Sequence, residues 1–361
     1  MMFHGSYRAA DVEFLLKPIE IDFITDLALK ETLIQSGQRH YSEMLSPERV
    51  PSARYLTLFH KAHAANRTRL ARDCLRLANL LCDRHGPDLA IVSLARAGTP
   101  IGAIVRHLIE HVHGGHPSHY SVSIIRDRGI DERALDEILA RGHPPTSIAF
   151  VDGWTGKGVI SRELAQAVAR YNAKRAVAID PGLNVLTDLA GSAARAASGE
   201  DYLIASSILN STISGLVSRS ILNAAILPGD FHGCVFFSEF MPHDLSRWFV
   251  DDMVAAALAL DPATTLSTTP ARAELAAVSR DYMAQAKARY AIDDDNLIKP
   301  GIGEATRVLL RRNPERVIVR DSGSARVAHL IALAAEKSIP VERDPGLPYH
   351  AVSIIRSAGD A

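Results

Sequence analysis

Cysteine is scarce in this sequence, and the scarcity bears on where the protein works. Only Cys74, Cys82 and Cys234 occur among the 361 residues, and no two of them form a CxxC pair. An odd, widely spaced set of this kind argues against a disulfide framework and favours a reducing compartment. We therefore expect a cytoplasmic protein.

Long hydrophobic runs and an excess of one charge are also missing. No apolar stretch approaches the roughly 18 residues of a membrane-spanning helix, and the first residues lack the pattern of a signal peptide. Lysine and arginine total 40 against 41 aspartate and glutamate residues, so no net field would attract nucleic acid or an anionic membrane. We expect no membrane partner, and an RNA partner would need a local basic patch. The histidines show no HExxH or similar spacing, so we predict no structural metal.

The sequence does contain an alternation of strand-like and helix-like segments. Residues 1 to about 85 are predicted to be mostly helical, and helices are predicted at 101–112, 131–140 and 159–171. Strand-like segments alternate with them at 89–94, 119–126, 147–151 and 175–179. Such alternation indicates parallel βαβ units. The sequence therefore predicts an α/β fold with a mostly parallel sheet and a helical N-terminal extension.

The rest of the chain divides into a Ser-rich stretch, a linker and a compact terminal unit. Residues 206–220 either form a polar helix or offer Ser214, Arg219 and other polar groups to a ligand. The Thr- and Pro-rich segment 261–272 indicates a linker, and a helix should follow at 273–290. The terminal unit is predicted as a small α/β/α domain, with helices at 302–312 and 323–336 and strands at 316–320, 340–342 and 350–356. We expect a first domain at 1–262 with its core at about 86–200, a linker and helix at 263–290, and a last domain at 291–361.

The first candidate binding loop is SLARAGTPIG, residues 93–102. A strand ends here, and Arg96, Ala97 and Gly98 form a tight turn before a helix that begins near Thr99. We expect these four residues to contact the ligand. Gly98 would let the backbone approach a ligand closely, amides at the helix start favour an anion, and Arg96 adds positive charge. An ordinary strand-to-helix turn is the alternative interpretation.

The second candidate loop is FVDGWTGKGVIS, residues 150–161. A buried strand leads into Asp152, then a glycine-rich turn, then a helix. Asp152 would face sugar hydroxyl groups or magnesium, while the turn wraps a phosphate. The residues that can do so are Gly153, Thr155, Gly156, Lys157 and Gly158. Because open α/β sheets bind ligands beyond the carboxyl ends of their strands, the two loops predict one site. A Gly-rich turn with an exposed lysine is the alternative.

This pair of loops resembles the pyrophosphate loop and the phosphoribosyl-diphosphate (PRPP) loop of phosphoribosyltransferases. In that family the second loop begins with an acidic pair at the ribose hydroxyls and continues T-x-G around the 5′-phosphate. Here the acidic pair is reduced to Asp152-Gly153. The resemblance implies an enzyme that uses PRPP or a related compound, with Mg²⁺ bound beside the phosphorylated ligand. Residues 119–129 are placed like the mobile flap of these enzymes, which implies that Arg126, Asp127 and Arg128 close over the ligand.

Three further segments resemble the StiP family, which is found with tellurite-resistance and stress gene clusters. They are RHYSEMLSPE at 39–48, NSTISGLVSRS at 210–220 and DFHGCVFF at 230–237. The resemblance covers roughly residues 1–260. The family is described as phosphoribosyltransferase-like and is also labelled a cysteine protease, so the resemblance implies two different chemistries.

Cys234 is the centre of the second chemistry. A peptidase needs a thiolate with a base within reach, and His232 would face the same side of a strand as Cys234. The cysteine also enters the apolar run GCVFF, where a small buried hydrophobic residue is the commoner role. Of the two arrangements we expect a buried thiol with no imidazole aimed at its sulfur.

Residues 300–342 resemble the Pelota-type domains, small α/β/α sandwiches related to kink-turn-binding ribosomal proteins. The shared motif is G-x-x-E-x-T-[KR], in which Gly303 stands where relatives have asparagine. The resemblance implies binding of a bulged RNA at the helix start. The residues expected to contact RNA are Gly303, Glu304, Arg307 and Arg311. A solvated basic face on a protein-interaction module is the alternative.

Three functions follow from these patterns. The leading hypothesis is an enzyme of a stress-linked nucleotide pathway that transfers a phosphoribosyl group. The second is a cysteine peptidase centred on Cys234, and the third is a non-catalytic module that senses a nucleotide and binds RNA. A homo-oligomer is compatible with each of them.

Overall fold

A computed structural model of the protein describes residues 2–261, 271–311 and 314–355. Its α-helices are α1 (Leu27–Gln35), α2 (Ala53–His85), α3 (Thr99–His113), α4 (Glu132–Ala140), α5 (Val159–Arg175), α6 (Ser246–Leu258), α7 (Arg272–Tyr290), α8 (Ile302–Arg311) and α9 (Ala328–Glu336). Its strands are β1 (Glu13–Leu15), β2 (Lys17–Pro18), β3 (Ala90–Ala95), β4 (Ser118–Ile125), β5 (Gly129–Ile130), β6 (Ile148–Thr155), β7 (Leu183–Asp188), β8 (Arg195–Ser198), β9 (Gly233–Cys234), β10 (Ile298–Pro300), β11 (Arg316–Val319), β12 (Val341–Arg343) and β13 (Ala351–Ile354).

The central sheet has the strand order β1-β4-β3-β6-β7-β8, and every neighbouring pair in that order is parallel. The short strand β5 adds an antiparallel partner to β4. Strand β3 and the first half of β6 are nearly continuous apolar runs, as expected where helices cover both faces of a parallel sheet. The predicted α/β fold with a mostly parallel sheet is confirmed.

Helices pack on both faces of this sheet. On one face α2, α3 and α6 bury a core that includes Phe59, Ile104 and Phe249. On the other face α4 and α5 bury Phe150 and Tyr171. Each large apolar side chain that is fully buried stabilises the fold by about 1.5–3 kcal/mol. Because the two helical layers hold the strands rigidly, the loops at the strand ends have a fixed platform.

Local sequence signals account for several helix ends. The Ser52 hydroxyl accepts the N–H of Tyr55 at 3.3 Å at the start of α2, and the helix ends at Gly86 with a φ of 81°. Asp131 caps α4 by accepting the N–H groups of Arg133 and Ala134. A polar side chain at each start satisfies amides that no helical carbonyl can reach.

The predicted strand at 175–179 is wrong. Helix α5 continues to Arg175, Ala176 takes a left-handed φ of 54°, and the Asn172 side chain bonds the backbone N and O of Ile179 at 3.0 and 2.8 Å. Ile179 is buried as part of a loop against the core. The next sheet strand is β7, so the apolar residues after α5 pack without joining the sheet.

The Ser-rich stretch is irregular, so the polar-helix alternative is wrong. It contains single 3₁₀ turns at Ala205–Ser207 and Ser211–Ile213, and Leu216 has a φ of 58°. Val217 forms an isolated antiparallel bridge with Phe236. We call residues 206–220 the irregular segment.

A second, four-stranded sheet in the order β10-β13-β11-β12 forms the C-terminal domain. Helices α8 and α9 pack on one face of it and share a core with α2, while α7 packs on the other through Tyr282 and Ala286. The predicted small α/β/α domain is confirmed, with β10 as an additional strand. Most of the predicted linker lies outside the described residues. In the part of the chain described here, no helix is both long and apolar enough to cross a bilayer.

The N-terminal extension is less helical than predicted. Its residues before α1 contribute β1 to the central sheet, where Glu13 pairs with Tyr120. They also contribute β2, which pairs in parallel with β9.

Candidate functional site

Gly98 brings the two candidate loops together. A Cβ atom at this position would lie 2.5 Å from the carbonyl oxygen of Val151 and 3.1 Å from the Cα atom of Asp152. The turn after β3 is therefore packed against the end of β6, and both loops lie at the same edge of the sheet, as predicted. The reason for the glycine differs from the prediction: the neighbouring strand, rather than a ligand, approaches it.

Strand β6 extends further than predicted, through Thr155. Asp152 and Trp154 thus lie within the strand and pair with β7. Thr155 is buried, and its Oγ1 accepts the N–H of Gly158 at 3.0 Å. The predicted phosphate contact by this hydroxyl is therefore corrected, because the group closes its own turn.

Thr99 is fully buried at the start of α3. Its Oγ1 lies 2.8 Å from the hydroxyl of Ser121 in β4. The predicted ligand contact of Thr99 is corrected: its side chain fastens the helix to the sheet.

Arg96 is held by protein groups. Its Nη1 donates to Glu48 Oε1 at 2.5 Å and to the carbonyl of Val217 at 2.9 Å, and its Nη2 donates to Asn210 Oδ1 at 3.2 Å. The other carboxylate oxygen of Glu48 accepts the N–H of Ser211 at 3.1 Å. Arg96 therefore fastens the irregular segment to the first loop, and Glu48 balances most of its charge.

The irregular segment also places Ser214 and Arg219 at the site. The Arg219 guanidinium lies 5.3 Å from the centre of the Tyr41 ring, and its Nη2 donates to the carbonyl of Met44. Its Nη1 is buried and has no hydrogen-bond partner among the described residues. Burial lowers the pKa of Arg219. The Ser214 hydroxyl donates to its own segment, to the carbonyl of Asn210 at 2.9 Å. Arg219 therefore brings a positive charge to the lining of the site, and its Nη1 is covered by protein atoms.

Of the three predicted flap residues, Arg126 reaches the site. Arg128 turns away, because its Nη2 donates to Glu43 Oε1 at 2.5 Å and its Nη1 to the carbonyl of Leu222 at 3.1 Å. Asp127 is exposed at the tip of the β4–β5 hairpin, with a φ of 65°. The predicted contact of Asp127 and Arg128 with a ligand is corrected on these grounds.

Two adjacent cavities of about 280 and 360 Å³ open at this edge of the sheet. The two cavities share five lining residues, and we call them together the strand-end cleft. The shared residues are Ala97, Asp152, Trp154, Ile160 and Arg307. The smaller cavity extends to Arg96, Ser214 and Arg219, and the larger one to Arg126, Lys157 and Lys299.

The strand-end cleft perturbs two ionisable groups. Burial raises the pKa of Asp152 to about 7, although the N–H of Gly153 at 2.8 Å and the Arg307 guanidinium favour its charged form. Burial, and then the charge of Lys299, lower the pKa of Lys157 to about 8. Perturbed groups gather where binding or chemistry takes place, so both shifts support a functional cleft.

Three cleft residues were not predicted to meet there: Trp154, Lys299 and Arg307. The Arg307 guanidinium lies 5.4 Å from the centre of the Trp154 ring, and Trp154 Nε1 donates to Glu304 Oε1 at 3.2 Å. Glu304 and Arg307 belong to α8 of the C-terminal domain. Contacts between segments this far apart in the sequence leave no local pattern that could predict them. The one sequence feature that pointed to such a contact was the large aromatic Trp154 within a glycine-rich segment.

Three of the residues predicted to bind RNA thus make contacts within the protein itself. A Cβ atom at Gly303 would lie 3.7 Å from Trp154 Nε1, so the first turn of α8 faces the indole. Arg311 ends α8, and its side chain is outside the described atoms.

Cys234 is fully buried in β9, and burial raises its pKa to about 12. The Nδ1 of His232 lies 2.8 Å from the hydroxyl of Ser123, and the thiol makes no hydrogen bond with any described residue. This is the buried arrangement that we expected. Cys74 and Cys82 lie in α2, and burial raises the pKa of both thiols, that of Cys82 to about 11.

Within the described ranges, no group of three or more His, Cys, Asp or Glu side chains is placed to hold a metal ion. Asp152 is the carboxylate beside which the predicted Mg²⁺ would bind, and the ion would need further oxygen ligands from a phosphorylated compound and water. Mg²⁺ therefore stays a prediction.

Comparison with known proteins gives two matches along the chain. Residues 5–254 match a family described as "Tellurite-like stress resistance cysteine protease StiP", and residues 277–357 match the PELOTA RNA binding domain. A curated relative from Acinetobacter baylyi (strain ATCC 33305 / BD413 / ADP1), named cysteine protease StiP, is 40% identical over 370 residues, which cover 99% of this chain and 95% of the relative.

These matches overturn the leading functional prediction. The family description and the relative's name both state a cysteine protease, and neither mentions phosphoribosyl transfer. The prediction of a transferase that acts on PRPP is therefore wrong. The resemblances to StiP and to Pelota-type domains are confirmed. With most of its length matched and a relative this similar along the whole chain, the protein belongs to the StiP family of enzymes and carries a Pelota-type RNA-binding domain.

Proposed function

We propose that this chain is a cysteine peptidase and that Cys234 is its nucleophile. The observation that supports the activity is the agreement between the family description and the name of a relative that is 40% identical over 99% of the chain. Cys74 and Cys82 lie on the long helix α2, whereas Cys234 lies in a short strand next to the irregular segment. The N–H of the following residue, Val235, donates to the Ser218 hydroxyl of that segment at 2.9 Å. Cys234 thus lies next to the irregular segment, which lines the strand-end cleft through Ser214 and Arg219.

The proposal requires that the Cys234 thiol become accessible. Attack on a peptide carbonyl needs a thiolate and a neutral imidazole that takes the proton, and a pKa near 12 keeps the buried thiol protonated. Burial lowers the pKa of His232, which favours the neutral imidazole. Cys234 belongs to β9, whose parallel pairing with β2 spans only two residues per strand, and its side chain is buried in the core. Opening of this short pair would be a first step in uncovering the thiol.

The test is cleavage of an unfolded protein substrate by the full-length chain and by three single variants. We expect Cys234→Ser to lose activity by at least about a hundredfold, since a nucleophile has no substitute. Cys74→Ser and Cys82→Ser serve as matched controls and should keep it. Full activity in Cys234→Ser would remove Cys234 as the nucleophile.

A second function is favoured by the charges of the strand-end cleft, namely binding of a small anionic ligand such as a phosphorylated sugar or nucleotide. Arg126, Lys157 and Lys299 line the larger cavity, and Arg96 and Arg219 line the smaller one. Because the pKa of Asp152 is near 7, this carboxyl is partly protonated at neutral pH and repels an anion less. Mg²⁺ bound between Asp152 and the ligand would offset the remaining charge.

Calorimetric titration with ribose 5-phosphate and with inorganic phosphate tests this second function. Lys157→Ala should weaken binding by about tenfold, the effect of losing one charge-assisted contact. Lys174→Ala is the matched control, because Lys174 is an exposed lysine of α5 that pairs with Glu132 away from the cleft. Equal affinity in the wild type and Lys157→Ala would exclude the larger cavity as the binding site.

A further inference from the structure

We propose that RNA and a small anionic ligand exclude each other on this protein, because the start of α8, which the Pelota-type resemblance predicts to bind RNA, forms a wall of the strand-end cleft. The inference rests on the second proposed function above. The residues that both ligands would need are those of the first turns of α8, namely Gly303, Glu304 and Arg307.

These three residues all pack around the indole ring of Trp154 in β6. Gly303 faces the indole edge, Glu304 accepts its N–H at 3.2 Å, and the Arg307 guanidinium lies 5.4 Å from the ring centre. Arg307 also donates to Glu304 Oε1 at 3.1 Å and lines both cavities of the cleft. An RNA base or phosphate that approached this turn would meet the indole first.

The amide end of α8 is occupied as well. Asp201 Oδ1 accepts the N–H of Ile302 at 2.7 Å. Just before the helix, a Cβ atom on Gly301 would lie 2.5 Å from the side chain of Leu189, so the chain is packed tightly there. A helix start normally offers its amides to an anion, but here a carboxylate of the first domain already takes one.

Two more contacts hold this face closed. Lys157 Nζ donates to the backbone carbonyl of Asp295, and a Cβ atom on Gly156 would lie 3.1 Å from the carbonyl oxygen of Pro300. The glycine-rich turn after β6 therefore touches the segment that leads into α8. The same turn that would hold an anionic ligand holds the C-terminal domain.

Two arrangements of the chain follow from this geometry. In the docked arrangement described here, Arg307 completes the cleft and α8 is covered. In an undocked arrangement, α8 is open to RNA and the cleft lacks Arg307. A ligand that prefers the docked arrangement must weaken RNA binding, and RNA must weaken the ligand by the same factor.

The test uses the full-length chain with Trp248→Phe, which leaves Trp154 as the single tryptophan. Binding of a fluorescein-labelled hairpin RNA with an internal bulge is measured by anisotropy, with and without ribose 5-phosphate, and Trp154 emission reports undocking. We expect saturating ribose 5-phosphate to weaken RNA binding by at least about fivefold. RNA should also red-shift Trp154 emission. Asp201→Ala should strengthen RNA binding by a similar factor and remove the competition.

Trp154→Ala provides a second undocking variant should Asp201→Ala fold poorly, and it too should bind RNA more tightly than the wild type. If ribose 5-phosphate does not bind, the second proposed function fails, and the RNA affinities of the two variants still decide the masking of α8. Equal RNA binding by the wild type and both variants, or RNA binding by none of them, would overturn the inference. So would RNA binding that saturating ribose 5-phosphate leaves unchanged.

Discussion

Asp201 of the first domain holds Ile302, the first residue of α8: its carboxylate accepts the backbone N–H of Ile302 at 2.7 Å. Its second oxygen accepts the N–H of His350 at 2.8 Å. A side chain of the first domain thus supplies the cap that a helix of the second domain needs. The same residue holds the loop before β13, so it fixes the C-terminal domain at two points.

Removing this cap should destabilise the docked C-terminal domain. We expect Asp201→Ala to lower the free energy of unfolding by about 1–2 kcal/mol, as loss of an N-cap does, and Asp201→Asn to cost less because it keeps an acceptor. Urea denaturation followed by circular dichroism measures both. Asp22→Ala, a change at an exposed aspartate, is the control. If it lowered the free energy of unfolding as much as Asp201→Ala does, the loss would not come from a specific helix cap.

Gly98 should tolerate no side chain, whereas Gly153 in the same site should. An alanine Cβ at position 98 would meet the Val151 carbonyl oxygen at 2.5 Å, while the nearest atom to a Cβ at position 153 is the Ala97 carbonyl oxygen at 3.8 Å. We expect Gly98→Ala to lower the free energy of unfolding by about 1–3 kcal/mol, as overpacking does, with little change in Gly153→Ala. Thermal unfolding of the two variants tests this, and equal stabilities would contradict the strand contact.

Arg96→Ala should cost far more stability than an exposed arginine does. Its partner Glu48 is only 10% exposed and would be left without its guanidinium, which we expect to cost about 2–4 kcal/mol. Arg128→Ala is the matched control, because the Arg128 and Glu43 side chains are 30% and 26% exposed and such pairs contribute under about 1 kcal/mol. Chemical denaturation of both variants provides the comparison. A small loss in Arg96→Ala would show that the irregular segment is held by other contacts.

The sequence allowed prediction of those elements whose signals are local. The apolar run of β3, the turn at Gly98 and the helix after it follow each other directly, and the structure has them where they were expected. The strand predicted at 175–179 failed because an apolar segment can be buried without joining a sheet: the Asn172 side chain satisfies the backbone of Ile179 instead. Hydrophobicity alone does not separate the two cases.

The site was also predictable only where its signals are local in the sequence. Asp152 and Lys157 were expected at the strand end, and they line the cleft there. The predicted ligand contact of Thr99 was wrong because its hydroxyl is hydrogen-bonded to that of Ser121 on a neighbouring strand. Only the order of strands in the sheet shows that these two residues meet. Arg307 was expected to contact RNA, and its place over Trp154 depends on how the C-terminal domain docks.

The three cysteines should differ in reactivity in the order of their exposure. Cys82 is partly exposed with a pKa near 11, whereas Cys234 is fully buried with a pKa near 12. We expect iodoacetamide at pH 8 to modify Cys82 at least about tenfold faster than Cys234, as read by mass spectrometry over time. If a peptide substrate opens the β2–β9 pair, it should accelerate labelling of Cys234 and leave Cys82 unchanged. Faster labelling of Cys234 without substrate would contradict the covered thiol.

Asp152 should make the stability of the protein fall as the pH rises. Its pKa is about 7 in the folded chain, against about 3.9 in an unfolded one. Between about pH 4 and pH 7 the unfolded chain therefore releases this proton while the folded chain keeps it, so the free energy of unfolding decreases over that window and levels off above it. Asp152→Asn cannot titrate, and its stability relative to the wild type should increase from pH 4 to pH 7. Urea midpoints across this range test the prediction, with Asp22→Asn, a change at an exposed aspartate, as control. A constant difference between Asp152→Asn and the wild type would mean that Asp152 is ionised in the folded protein as readily as in the unfolded chain.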